Sequence, residues 1–380
     1  MRPLYKEVEK HPEKSQDNYN KGLWFERFFN KYDDDWRIQK EIKDIQEEGK
    51  KAWISQVTNA TCGNKDNLNY VINQQKKLCI NLGGKVKAFK AEWHFATGLG
   101  NAHPVENGFA WHPTLGTPYL SGASVKGLVR AYVESWAGLE NNEIREVCRR
   151  WFGSESKNPK EQNKDSPSEA GAYIFFDAIP LKPVTLACDI MTPHMGDWYA
   201  QGDKIENITN DAASLPADWH NPVPIPFLVV KAGSFLFSVA PRNPKNEQAK
   251  TELPLVMEAL SNALEYMGAG AKTATGYGRM SDDIEANKEI EKLRKEAEKA
   301  EMSIDGRFRI EFQELADKKL AEMFGKNFNK TQGEIGDDWE LYLDVLFETK
   351  SDLIRSWEQF GKETAEGKAY KKLKGIGRIE

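Results

Sequence analysis

The sequence has little cysteine. Its 380 residues hold four, Cys62, Cys79, Cys148 and Cys188, and no two stand as a CxxC pair. That spacing offers neither a zinc site nor a disulfide framework, and a reduced, cytoplasmic protein is the plain reading. No apolar run is long enough to span a bilayer. The longest candidate, Pro224 to Ala240, is interrupted by Lys231 and reads as two strands. Met1 to Asn20 is polar and charged, so no signal peptide is expected and no membrane partner. An excess of basic charge is also missing. Lysine and arginine number 53 against 58 acidic residues, a formal net charge of −5. A chain gripping nucleic acid through one broad basic face would be basic overall, so such a role here needs a local patch or partner subunits. Internal repeats and low-complexity tracts are absent as well.

What is present falls into three zones. Residues 1–82 are polar but studded with aromatics, including Trp24, Phe25, Phe28, Phe29, Tyr32, Trp36 and Trp53. Near-helical spacing predicts helices over Tyr19–Lys31, about Asp35–Val57 and Lys65–Leu78. Residues 83–280 have α/β character. Strands are expected at Lys85–Phe95, Tyr173–Phe176, Val184–Ile190, Phe227–Val230 and Ser234–Val239. The second and third of these are expected to form a hairpin with a loose tip around Pro180 and Pro183. Helices are expected at Ser121–Trp136 and Leu253–Met267. This order suggests an α+β, ferredoxin-like (RRM-like) core with insertions. The polar stretch Gly153–Gly171 reads as a loop. Residues 281–380 are charge-dense and read as a helical extension. Ile284–Met302 is a solvated helix, whereas Trp339–Phe360 carries an apolar stripe (Leu341, Val345, Leu346, Leu353, Ile354, Trp357) that must pack on something.

Two segments stand out because acids are missing from them. Between Asn107 and Val133 there is no carboxylate. A glycine- and proline-rich loop there runs into a helix that Ser121 or Ser124 can cap. A helix start of this kind presents N–H donors and a positive dipole end to an anion, and Lys126 and Arg130 follow one turn apart. From Met267 to Met280 the chain reads Gly268-Ala269-Gly270-Ala271-Lys272-Thr273-Ala274-Thr275-Gly276-Tyr277-Gly278-Arg279, again without an acid. Such a loop lets backbone come close to a polyanion. It is not a Walker A loop, because Ala271 precedes the lysine and a helix rather than a strand precedes the tract. Gly98-Leu99-Gly100 is not a dinucleotide fingerprint, since His103 takes the third glycine position.

These segments resemble the RAMP superfamily of CRISPR repeat-associated proteins, whose signature is a glycine-rich tract after the second helix. Leu23-Trp24-Phe25-Glu26-Arg27-Phe28-Phe29, Thr97–Arg130, Asp189-Ile190-Met191-Thr192-Pro193-His194 and Asp218-Trp219-His220-Asn221-Pro222-Val223-Pro224 are similar to the sixth subunit of Cmr-type, type III-B effector complexes. The likeness runs from about Tyr19 to Arg279. It implies a non-catalytic scaffold that holds the 3′ side of a guide RNA (crRNA) among other effector subunits, near the target RNA, in antiviral defence. It implies RNA contacts from Ser124, Lys126, Arg130, Gly268, Gly270, Gly276 and Gly278. Lys272, Arg279 and His194 join them on the residue reading. No cofactor, metal or catalytic residue is expected. Cleaving subunits of such complexes use an aspartate in the loop after the first strand, and Phe95–Leu120 contains only Glu106. The alternative is a metal-independent endoribonuclease that processes guide RNA through His103 or His112. Each of those histidines precedes a proline, and the plainer reading is a turn residue.

Overall fold

A computed structural model of the chain describes residues 19–33, 35, 37, 38, 49–58, 60–154, 169–207, 215–217, 220–301 and 303–379. The chain divides into two compact units, Met1–Asn287 and Lys288–Glu380.

In the first unit the helices are α1 (Lys21–Arg27), α2 (Gly49–Ile54), α3 (Lys65–Asn81), α4 (Gly122–Ser135), α5 (Asn141–Phe152), α6 (Gly196–Gln201) and α7 (Glu247–Asn262). The strands are β1 (Thr61–Cys62), β2 (Lys85–Ala91), β3 (Ala102–His103), β4 (Glu106–Asn107), β5 (Tyr173–Phe175), β6 (Ile179–Pro180), β7 (Val184–Met191), β8 (Ile225–Ala232), β9 (Ser234–Pro241) and β10 (Met280–Asp282). The main sheet is antiparallel in the order β10-β2-β9-β5, with β6 also on β9. Helix α4 lies in sequence between β2 and β5, and α7 between β9 and β10. This is the ferredoxin-like β-α-β-β-α-β order. Strands β7 and β8 are inserted between its second and third strands and pair with each other and with β1 in a second sheet.

The core follows from period-2 alternation along β9. Phe235, Phe237 and Val239 face one way and join Val125, Val129 and Val133 of α4 and Leu253, Val256 and Leu260 of α7 in one apolar cluster. Each such side chain taken fully from water contributes about 1.5–3 kcal/mol. Trp24, Phe25, Phe29 and Trp53 belong to the same cluster, so these four aromatics share the core of the α/β zone. Ser238 points the other way, and α3 covers that face. Gln75 Nε2 donates to Ser238 Oγ (3.1 Å), and Gly84 is pressed between Cys79 and Ala240. An RRM lays RNA on its sheet face. Here that face is occupied by the chain's own helix.

Several expectations need correction. The hairpin of Tyr173–Phe176 with Val184–Ile190 does not form: β5 pairs with β9, while β7 pairs with β8. Helix α1 is shorter than Tyr19–Lys31, ending where Phe28 leaves helical geometry. Of the expected Asp35–Val57 helix only Gly49–Ile54 is helical among the described residues, and Ile38 bridges to Tyr32 instead. Residues 36 and 39–48, most of the Gly153–Gly171 loop, Asp218 and Trp219 lie outside the described residues. The C-terminus of α7 continues as a π-turn over Ala263–Met267. The chain then returns through β10 to α8 (Ile284–Glu301). Asn287 mimics one more strand residue at that junction. Its side chain accepts from Ala88 N–H (2.7 Å) and donates to Ala88 C=O (2.9 Å).

The second unit is helical: α9 (Ile304–Glu314), α10 (Asp317–Phe324), α11 (Phe328–Ile335), α12 (Trp339–Ser356) and α13 (Ala365–Gly375) follow α8. It has its own core of Phe312, Leu320, Phe324, Tyr342, Leu346, Trp357 and Leu373, among others. The apolar stripe expected on Trp339–Phe360 packs there, except that Leu341 stays exposed. Helix α12 is interrupted at Lys350, whose φ of −129° and ψ of 20° are not helical. No described helix is long and apolar enough to cross a membrane.

Candidate nucleic-acid interface

The glycine-rich loop is built by hydrogen bonds that fold it on itself and on the chain beyond β2. Ala269 N–H donates to Gly278 C=O, Gly278 N–H to His94 C=O and Ala271 N–H to Ala96 C=O, each at 2.8 Å. Gly268, Gly270, Gly276 and Gly278 all have positive φ. A Cβ on Gly270 would lie 2.1 Å from the Ala96 carbonyl oxygen, and one on Gly278 would lie 1.9 Å from that of Ala269. At Gly268 the contact would be 2.8 Å, with Tyr277 O. Three of the four glycines are therefore required by the chain's own close packing. Gly276 differs, since a Cβ there would meet nothing within 4 Å. The space above it is open, while its own N–H donates to Thr273 C=O (2.9 Å).

Lys272 is one of two non-glycine residues with positive φ among those described, at 60°, and its Nζ lies 5.2 Å from the Phe227 ring centroid. Arg279 is exposed. Neither cation has a carboxylate partner among the described residues. Beneath them sits a cluster that the sequence reading did not single out. Tyr277 Oη donates to Asp189 Oδ2 (2.5 Å), and His94 Nδ1 lies 3.4 Å from the same oxygen. Trp93 stacks on His94 with ring centroids 4.7 Å apart. Burial works against the Asp189 charge, but the bonds from Tyr277, the Ile190 N–H and His94 outweigh it and hold the carboxyl below its usual range. Burial together with the Asp189 bond pushes the Tyr277 hydroxyl up to about 12. The available signal was positional: two ring residues at the end of an alternating strand, facing a glycine tract that contains a tyrosine.

Helix α4 is capped as expected, with Ser121 Oγ accepting Ser124 N–H (3.3 Å) and its hydroxyl 2.9 Å from that of Ser124. Ser124 itself is exposed. The helix start is nevertheless not vacant for an outside anion. Asp177, at the end of the β5 segment, accepts Gly122 N–H at 2.6 Å and places its own carboxylate at the positive dipole end. Arg130 is likewise engaged, with Nε donating to Glu134 Oε1 at 2.6 Å. The acid-free window closes one residue too early to expose that charge. Lys126 is half-buried and has no carboxylate partner among the described residues. The two segments are neighbours through the backbone. Ala96 receives the loop's Ala271 N–H, and Thr97 Oγ1 donates to Tyr119 C=O (3.2 Å), two residues before Ser121.

His103 and His112 are committed to the fold. Val105 N–H donates to His103 Nδ1 (3.2 Å), which places the proton on Nε2, and Nε2 donates to Phe25 C=O (2.9 Å). The ring stacks on Phe25, and burial, partly offset by that carbonyl bond, lowers its pKa. His112 Nδ1 accepts Leu115 N–H (3.3 Å), and burial lowers its pKa too, against the pull of the Asp177 charge. Glu106 pairs with Lys50 at 2.5 Å. His194 is exposed between β7 and α6, on the inserted hairpin. No group of three metal-ligating side chains occurs among the described residues.

The sequence profile of the RAMP superfamily matches residues 88–281, from β2 through the glycine-rich loop to β10. The chain belongs to the RAMP superfamily. The CRISPR system Cmr subunit Cmr6 of Pyrococcus furiosus (strain ATCC 43587) is 30% identical to this chain over 243 residues, covering 52% of it and 67% of that protein. Among solved structures, Cmr6 from Pyrococcus furiosus aligns at 24% identity and a TM-score of 0.30, over 52% of this chain and 97% of that one. A chain of the type III-B Cmr-beta complex bound to cognate target RNA aligns at 16% identity and a TM-score of 0.43, over 61% of this chain and 70% of that one.

Proposed function

We propose that this RAMP protein is a non-catalytic subunit of a type III-B CRISPR ribonucleoprotein. In this reading it holds the 3′ side of the guide RNA backbone beside other effector subunits and the target RNA. The observation that carries the reading is the carboxylate-free loop 268–279. It offers open space above Gly276 and two cations, Lys272 and Arg279, that no described acid neutralises. The likeness to a Cmr subunit supplies the setting. Contacts of this kind position a sugar–phosphate chain without reading its bases. Among the α4 residues, Lys126 fits the role better than Ser124 or Arg130, because Asp177 and Glu134 already hold the helix start and the arginine. The absence of catalysis remains part of the proposal. It is supported by His103, whose two ring nitrogens are both spent on the fold, and by the lack of an aspartate in the loop after β2.

Charge reversal tests the reading. In the assembled complex, Lys272→Glu with Arg279→Glu is expected to reduce retained guide RNA. The salt dependence of RNA affinity should flatten by about 0.7 in log–log slope for each phosphate that the protein ceases to neutralise. Arg130→Glu is expected to do much less. Full guide retention by the double variant at every salt concentration contradicts the proposal.

A further inference from the structure

The backbone-holding role leaves the cluster of Trp93, His94, Asp189 and Tyr277 without a task. Trp93 is 51% exposed, although one side of its indole is fixed by His94, at an interplanar angle of 11°, and by Tyr277, 4.9 Å away. A ring held rigidly on one side and wet on the other is what a stacking base requires. Asp189 sets the state of His94. Its Oδ2 takes the Tyr277 hydroxyl and its Oδ1 takes the Ile190 N–H (2.8 Å), bonds that a carboxylate accepts while ionised. An ionised carboxylate only accepts, so the hydrogen bond from His94 requires the proton on Nδ1. In the neutral ring Nε2 is then an acceptor. That atom has no partner among the described residues and is not among the buried, unpartnered polar atoms. Phosphate oxygens, being acceptors, cannot satisfy it. A ribose 2′-hydroxyl can, and deoxyribose has none.

We propose that Trp93 and His94 form a ribonucleotide subsite, in which the indole stacks one base and His94 Nε2 accepts the hydrogen bond of a ribose 2′-hydroxyl. The subsite rests on the RNA-holding reading and adds to it a means of preferring RNA over DNA. Lys272 lies within the same aromatic group, over Phe227, whose ring is 6.1 Å from Tyr277, and supplies positive charge for the attached phosphate.

The test uses the full chain and two labelled single strands, oligouridylate and the matching oligodeoxyuridylate, with binding read by fluorescence anisotropy. The wild type is expected to favour the ribose strand by about three- to tenfold, the effect of one hydrogen bond. His94→Ala should abolish that preference while leaving DNA affinity within about twofold. His94→Phe should do the same, because it keeps a ring against Trp93 but carries no nitrogen to meet the hydroxyl. Trp93→Ala should weaken both strands by about tenfold. Near-ultraviolet circular dichroism confirms folding of each variant, and the ring-preserving His94→Phe decides the matter should His94→Ala fail to fold. An unchanged RNA-to-DNA ratio in a folded His94 variant overturns the subsite and leaves the RNA-holding role standing. A wild-type chain that binds neither strand overturns both.

Discussion

At the scale of single residues, the glycine tract separates two demands that look alike in sequence. Gly270 and Gly278 are there because backbone from Ala96 and Ala269 fills the space a Cβ would need. Gly276 has the same positive φ and nothing above it. Gly278→Ala combines a left-handed conformation with backbone overlap and is expected to destabilise the first unit by about 3 kcal/mol. Gly276→Ala has only the conformational cost, about 1 kcal/mol. Chemical denaturation of the two variants against the parent chain checks the order, and equal losses would show that close packing does not distinguish the sites. The tract itself was legible as a punctuated, acid-free run. Which glycine serves the fold and which leaves an opening was not, because the deciding atoms at Ala96 lie far away in sequence. The histidines carry the same lesson. A proline after His103 and His112 suggested turns, but only the fold brings the Phe25 carbonyl to His103 Nε2.

At the scale of elements, local signals fared best. Ser121 before an apolar row at Val125, Val129 and Val133 marked α4 to within a residue. The alternating run at Lys85 marked β2, and the aliphatic runs around Gly233 marked β8 and β9. Pairing was another matter. Two apolar runs around Pro180 and Pro183 looked like a hairpin, yet β5 and β7 belong to different sheets, and strand partnership is settled by side-chain faces that a linear reading cannot see. Helix α5 was overlooked although it had a start signal, Glu143 accepting the Glu140 N–H at 3.1 Å, and a buried end at Trp151 and Phe152. The interaction with most bearing on function was also non-local. Asp177, 55 residues from Gly122, fills the α4 N-terminus. Asp177→Ala is expected to destabilise the fold by about 1–2 kcal/mol, through loss of a charged hydrogen bond and of the dipole interaction. The same substitution should increase RNA affinity modestly, as a helix start becomes available to phosphate. Thermal melting and RNA titration together check it, and an unaltered melting temperature would show that the Asp177–Gly122 bond contributes little.

At the scale of the whole molecule, a net charge of −5 is compatible with the proposed RNA-holding role when positive charge is placed locally. The α3 helix closes the sheet face that an RRM uses, and acids occupy the most obvious helix terminus. Within the first unit, the end of the sheet where β2 finishes and β10 begins carries Lys272, Arg279, Gly276 and the Trp93–His94 pair. The second unit has a complete aromatic core of its own, which accounts for the apolar stripe of α12. Ultraviolet crosslinking of guide RNA within the assembled ribonucleoprotein, followed by peptide mapping, measures the central claim most directly. RNA-linked peptides spanning residues 268–279 and the Trp93–His94 segment are expected. Crosslinks confined to other surfaces of the chain, with those peptides recovered unmodified, would contradict it.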